Sequence, residues 1–187
     1  MTLGHEQMRA DARANRERIL DIAHDAFAAS PTVSLNAIAQ RAGVGAGTLY
    51  RHFPTREALI LAVYQHDVEI LVDSVPRVLA EHEPLDALRI WFERLADYVR
   101  IKHGLGEALN TAAVQDAINA TYAPVEAAVG SLLRACEDAA TIQSGLDPAD
   151  VLLLMGFLWR VGPGEAGRAQ GRRLLNLVID GFRRQRH

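Results

Sequence analysis

A chain of 187 residues, 49% apolar and with a formal charge of −3, is long enough to bury a core without disulfide or metal staples and too acidic overall to coat nucleic acid by charge alone. One cysteine excludes an intrachain bridge, and the longest apolar run, VLLLMGFLW at 151–159, falls well short of the ~20 residues a membrane helix needs. Together with the lack of a secretory leader pattern, these features predict a cytoplasmic protein with no membrane association.

The charge is unevenly placed. Residues 1–56 hold seven Arg against five acidic residues, and the remainder holds thirteen Lys or Arg against eighteen acidic residues. A small basic module on an acidic body is how a sequence-specific DNA binder localises its contact face.

Apolar residues recur at spacings of three and four, with almost no β-branched alternation, so the sequence predicts an all-α fold. Residues 1–12 read as a loose tail. From Asn15 to Ala29, Ile19, Ile22, Ala23, Ala26 and Phe27 form a stripe opposite Arg16, Glu17, Arg18, Asp21 and Asp25. The sequence SPT ends that helix. Ser34 is placed to cap a short second helix with Leu35, Ile38, Ala39 and Ala42 facing inward, and Gly43 to stop it in a left-handed conformation.

Gly43-Val44-Gly45 then reads as the turn of a helix-turn-helix, with Val44 filling the space between the helices. The next helix, from about Ala46 to His52, opens on very small residues, which let its backbone enter a major groove. Leu49 and Phe53 anchor it. Thr48, Arg51 and His52 lie on other faces, and the Tyr50 hydroxyl is placed to reach a phosphate. Spacing alone leaves a plain helical hairpin of a bundle as the competing reading.

Beyond Pro54, Thr55 is placed to cap a long helix from about Glu57 towards Pro76, and another follows Pro84 to about His103. Further helices are expected over 106–117, 122–140, 148–161 and 165–184, the last two split by GPGE.

The segments RERILDIAHDAFA and SLNAIAQRAGVGAGTLYRHFPTREAL closely resemble the DNA-binding domain of the tetracycline-repressor (TetR) family of bacterial regulators. The resemblance implies three parts: a tail over 1–12, a helix-turn-helix domain over 13–56, and a helical ligand-binding and dimerisation domain over 57–187. It implies that Ser34 contacts phosphate, that Gly45, Ala46, Gly47, Thr48, Tyr50 and His52 meet bases and backbone, and that Arg56 holds a phosphate. Arg51 is added by its chemistry. Arg9, Arg13 and Arg16 could reach a flanking groove, although solvation accounts for the first two. The family commonly has Ser where this chain has Gly45 and often a larger or basic residue at Ala46. With few bidentate donors left, thymine-methyl contacts and DNA shape are expected to carry much of the specificity.

For the body the resemblance implies a homodimer formed by the last two long helices, with Val151, Leu154, Met155, Leu158, Trp159, Leu174, Leu175, Val178 and Phe182 as interface or core. It also implies a pocket for a small-molecule effector whose occupancy releases a double-stranded operator that carries an inverted repeat. Tyr64, Val68, Trp91, Phe92, Leu95, Tyr98, His103, Leu109 and Tyr122 are the pocket candidates, with ordinary core packing the favoured reading of any one of them.

Other chemistry finds little support. His24, His66 and His82 each neighbour an acid, but no spacing sets two ligands on one helical face, so no metal is expected. Cys136 falls on an apolar stripe as a core thiol. GVGAG lacks the lysine and strand of a nucleotide-binding loop. Glu107, Asp116 and Glu126 read as solvated helix faces. No catalytic residue and no cofactor is expected. The function expected is therefore a repressor-type transcriptional regulator, with an all-helical ligand-binding protein or enzyme bundle as the alternative.

Overall fold

The computed structural model describes residues 3–30, 32–103, 116, 118–162 and 164–183, with side chains not described for residues 3–12, 99–103 and 159. Among these residues the secondary structure is helical, apart from one isolated antiparallel bridge between Ile142 and Arg183. The described residues up to His66 form one compact unit, and Asp67–His103 with the described residues from Asp116 onward form a second.

In the first unit, α1 spans Leu3–Ala29. Residues 3–12, expected as a loose tail, are therefore helical. Their polar composition offers no apolar periodicity, but nothing in it breaks the helix that the stripe farther along propagates. Of that stripe Ile19, Ala23, Ala26 and Phe27 are buried and Ile22 is half-buried, while Leu20, outside the expected stripe, is buried as well.

Helix α2 spans Leu35–Arg41, and the Ser34 side chain accepts the Ala37 N–H at 3.2 Å, as the cap requires. Its far end closes as a Schellman turn: the Gly43 N–H bonds the Gln40 carbonyl and the Val44 N–H bonds the Ala39 carbonyl, with Gly43 at φ +66°. Helix α3 spans Ala46–His52 and is held by Leu49 and Phe53, both buried.

Helix α4 spans Arg56–Asp73, and the Thr55 hydroxyl accepts the Ala58 N–H at 3.1 Å. It stops short of the expected Pro76. An additional helix, α5 over Val75–Glu81, begins there with the proline in its first turn, where a missing N–H costs nothing.

The second unit is built on α6, Pro84–His103, packed against α5, against α7 at Tyr122–Asp138 and against α9 at Gly164–Phe182. Asp147 caps α8, Pro148–Leu154, by accepting the Ala149 and Asp150 N–H groups at 2.8 and 3.3 Å. The helix expected over 148–161 becomes 3-10 over Met155–Trp159. The helix expected over 106–117 lies outside the described residues, save for Asp116.

The core of this unit gathers Leu88, Trp91, Phe92, Val129, Leu132, Met155, Leu175 and Ile179. Trp91 and Phe92 meet edge to face with centroids 5.4 Å apart, and the indole N–H donates to the Leu71 carbonyl at 2.9 Å. At the start of α9, a Cβ on Gly167 would lie 1.8 Å from the Gly162 carbonyl oxygen. Only glycine admits that approach.

Candidate nucleic-acid interface

The helix-turn-helix is assembled by burying one side of α2 and α3. Leu35, Ile38, Ala39, Leu49 and Phe53 are withdrawn from solvent, and Val44 is half-buried in the turn. Helical spacing then turns Gly45, Ala46, Gly47, Tyr50, Arg51 and His52 outward, and all six are exposed. Thr48 is half-buried.

The outward face begins bare. A Cβ built on Gly45 or on Gly47 meets nothing within 4 Å, so the α3 backbone is open to a large partner. Gly45 caps α3 without a side-chain bond; its carbonyl accepts the Thr48 N–H at 2.9 Å. Toward the C-terminal end, the Arg51 guanidinium lies back along the helix, donating to the Gly47 carbonyl at 3.1 Å and to the Thr48 hydroxyl at 3.3 Å. The exposed geometry makes these bonds weak enough to be exchanged for a ligand.

Tyr50 leaves 44% of its surface exposed. His52 leans on Phe53, with ring centroids 6.1 Å apart. A further cation comes from α1, because the Arg16 guanidinium carbon sits 5.5 Å above the Phe53 ring. Sequence reading grouped Arg16 with the tail arginines. The α1 register, which separates Arg16 and Phe27 by three turns, places it instead beside the end of α3. Arg13 bonds Glu17 at 2.9 Å on an open surface, a pair worth no more than ~0.5 kcal/mol; the Arg9 side chain lies outside the described residues.

Ser34 and Arg56 differ in kind. Ser34 is exposed, whereas Arg56 is half-buried, donates to the Val33 carbonyl and carries its guanidinium carbon 5.0 Å above the Phe27 ring.

Among the described residues, the expected effector residues differ in burial. Val68, Trp91, Phe92 and Leu95 are packed core, and Tyr122 is 55% exposed. Tyr64 and Tyr98 are half-buried. Burial raises the Tyr98 phenol above its usual range, with the Asp67 and Asp97 carboxylates adding to the rise and Arg94 opposing it. Leu109 and the His103 side chain lie outside the described residues. A shallow cleft of about 70 Å³ lies between α6 and α9, lined by Glu93, Ala96, Asp97, Arg168, Gly171, Arg172 and Leu175. Sequence reading did not pick it out, since its charged residues pass for solvated helix faces.

The interface candidates also divide. Val151, Met155, Leu158, Leu175 and Phe182 are consumed by the chain's own core, so they cannot form a surface for a second copy. Leu174 and Val178 are half-buried, and the Trp159 side chain lies outside the described residues. Leu154 is exposed at 53%, and two further leucines of α8 and α9, Leu153 at 80% and Leu177 at 70%, are more exposed still.

Residues 19–63 match the family described as bacterial regulatory proteins, tetR family, and residues 83–184 match the C-terminal domain described as transcriptional regulator SbtR-like. The chain is 34% identical over 99 residues to the HTH-type transcriptional regulator SAR2658 of Staphylococcus aureus (strain MRSA252), a match covering 51% of this chain and 53% of that one. It thus spans about half the length of the curated relatives it matches. Among solved structures it is similar to the TetR transcriptional regulator SCO0520 from Streptomyces coelicolor, with 39% identity, a TM-score of 0.79 and coverage of 91% of this chain and 99% of that one. A TetR transcription regulatory protein from Mycobacterium vanbaalenii is 35% identical with a TM-score of 0.72, over 94% and 99% of the two chains.

Proposed function

The chain belongs to the TetR family of DNA-binding transcription regulators, and we propose that it acts as a homodimeric repressor released from its operator by a small-molecule effector. The observation that carries the DNA-binding part is the exposed face of α3, with bare backbone at Gly45 and Gly47 followed by Tyr50, Arg51 and His52, over a buried Leu49 and Phe53. The two small residues admit the backbone to the major groove, where Ala46 and the Thr48 methyl meet thymine methyls. Tyr50 and Ser34 donate hydroxyls to phosphates. Arg51 and His52 supply charge or hydrogen bonds at the far end of the helix, with Arg16 beside them.

One such helix covers too few base pairs to be selective. A second copy, joined through the exposed Leu153, Leu154 and Leu177 on α8 and α9, sets two recognition helices about one DNA turn apart, ~34–36 Å. The operator is then an inverted repeat. Effector release requires the effector to bind the DNA-incompetent arrangement more tightly than the competent one; couplings of this kind are typically ~1–3 kcal/mol. Its pocket belongs to the helical body. No catalytic step is part of this reading, and we place the protein in the cytoplasm; no helix of the described residues is long and apolar enough to cross a membrane.

The test is selection of duplexes from a randomised library by the purified protein. The reading expects enrichment of an inverted repeat whose half-sites lie one turn apart. Enrichment of no sequence over the starting pool would reject it.

A further inference from the structure

We infer that Arg56 is a positioning residue, which fixes Ser34 and the start of α2 for the phosphate backbone and does not itself hold a phosphate. This rests on the DNA-binding reading above. The guanidinium lies over the Phe27 ring, with its carbon 5.0 Å from the centroid, and donates to the carbonyl of Val33, the residue immediately before the Ser34 cap. Phe27 is buried in the last turns of α1. One side chain at the start of α4 therefore ties the end of α1 and the entrance to α2.

Among the described residues, the link between those helices carries two backbone bonds and a contact of the Ser30 and Thr32 hydroxyls at 3.3 Å. The Ser30 N–H bonds the Ala26 carbonyl at 2.9 Å and the Val33 N–H bonds the Ser30 carbonyl at 3.1 Å, after which Ser34 turns extended at ψ 151°. The Ser34 oxygen accepts the Ala37 N–H. That bond does not consume the hydroxyl's own hydrogen, so Ser34 can cap α2 and bond a phosphate oxygen together. That double use works only if the preceding carbonyl is held in place. Arg56 holds it with an in-plane N–H while its flat face rests on Phe27, a combination for which a planar guanidinium is suited and a lysine ammonium is not. Drawing the guanidinium off Phe27 and Val33 would release the segment that carries Ser34.

The test uses the full chain and a fluorescein-labelled duplex enriched by the wild type. Affinity is measured by anisotropy across a salt series for Arg56→Lys, Arg56→Gln, Ser34→Ala and the two double variants. Circular dichroism in the same buffers sets a temperature at which each protein is folded. A positioning role predicts that Arg56→Lys, although it keeps the charge, weakens binding about tenfold, with an unchanged dependence of log K on log salt. It also predicts that in the Ser34→Ala background the same change costs less than about twofold, because the two residues act through one contact. A direct phosphate contact predicts the opposite: Arg56→Lys near wild-type affinity and Arg56→Gln shallower in salt by about 0.9. A residue that only stabilises the fold predicts a lower melting temperature with wild-type affinity for Arg56→Lys once folded, or losses that add fully to those of Ser34→Ala. Any of these results overturns the inference. A wild-type chain that enriches no duplex overturns the DNA-binding reading and this role with it, whereas selective wild-type binding matched by Arg56→Lys overturns this role alone.

Discussion

Gly43 and Gly47 lie four residues apart, and replacing each by alanine separates what the turn needs from what the contact face needs. Gly43 sits at φ +66°, and a Cβ there meets nothing within 4 Å. The whole cost of Gly43→Ala is therefore backbone, about 1–2 kcal/mol for a left-handed alanine. For a chain of this length that lowers the melting temperature by about 2–8 °C. Gly47 lies inside α3 with an ordinary helical backbone and the same empty surroundings. Gly47→Ala gains helix propensity, up to about 1 kcal/mol, and the melting temperature rises by up to about 4 °C. Its methyl group stands on the exposed face, where the close approach to the duplex is lost. Affinity for the selected duplex should fall about tenfold or more, equivalent to ~1.4 kcal/mol. Thermal denaturation by circular dichroism and anisotropy titration of the same preparations read both effects. Gly47→Ala that binds as wild type would place the duplex elsewhere, and Gly43→Ala that melts as wild type would refute the left-handed turn.

Changing Leu153 and Leu177 together to Glu should convert a dimer into a folded monomer, read by light scattering on an eluting column; an unaltered mass would remove α8 and α9 from the interface. Gly167→Ala forces a methyl into the Gly162 carbonyl and should destabilise by about 1–3 kcal/mol, whereas Gly171→Ala, whose nearest neighbour is Val161 at 3.8 Å, should melt within about a degree of wild type or above it. Burial pushes the Cys136 thiol up to about 11 from an ordinary 9.0. The unfolded chain therefore loses this proton first, so the stability contribution is present below pH 9 and declines as pH rises from 9 to about 11, by up to about 2–3 kcal/mol. Urea denaturation of the wild type and Cys136→Ala across that range should show a steeper fall for the wild type; parallel curves would contradict the shift.

The parts of the fold legible in the sequence are those where one local signal decides the outcome. Ser34 and Thr55 cap helices because a hydroxyl three residues before a free N–H needs nothing from the rest of the chain. Gly43 ends α2 for an equally local reason. Pro76 misled because a proline marks both the end of one helix and the first turn of the next, and only the packing of Val75 and Val78 selects the second meaning.

The candidate site divides along the same line. Outward positions on α3 follow from the buried pair Leu49 and Phe53 by helical geometry alone. Arg56 does not, since its place over Phe27 and against Val33 joins residues far apart in sequence. The body is harder still: Trp91 and Phe92 look alike as pocket or core, and only the indole bond to Leu71 and their mutual edge contact commit them to the core. Leu153 and Leu177 were passed over because an exposed leucine and a buried one carry the same letter.

The most direct test of a sequence-specific regulator is anisotropy titration of the wild-type chain against its selected duplex and a scrambled duplex of equal length, at several salt concentrations. The account predicts a preference of about 10³ or more, with affinity falling steeply as salt rises. Equal and weak binding to both duplexes would contradict it.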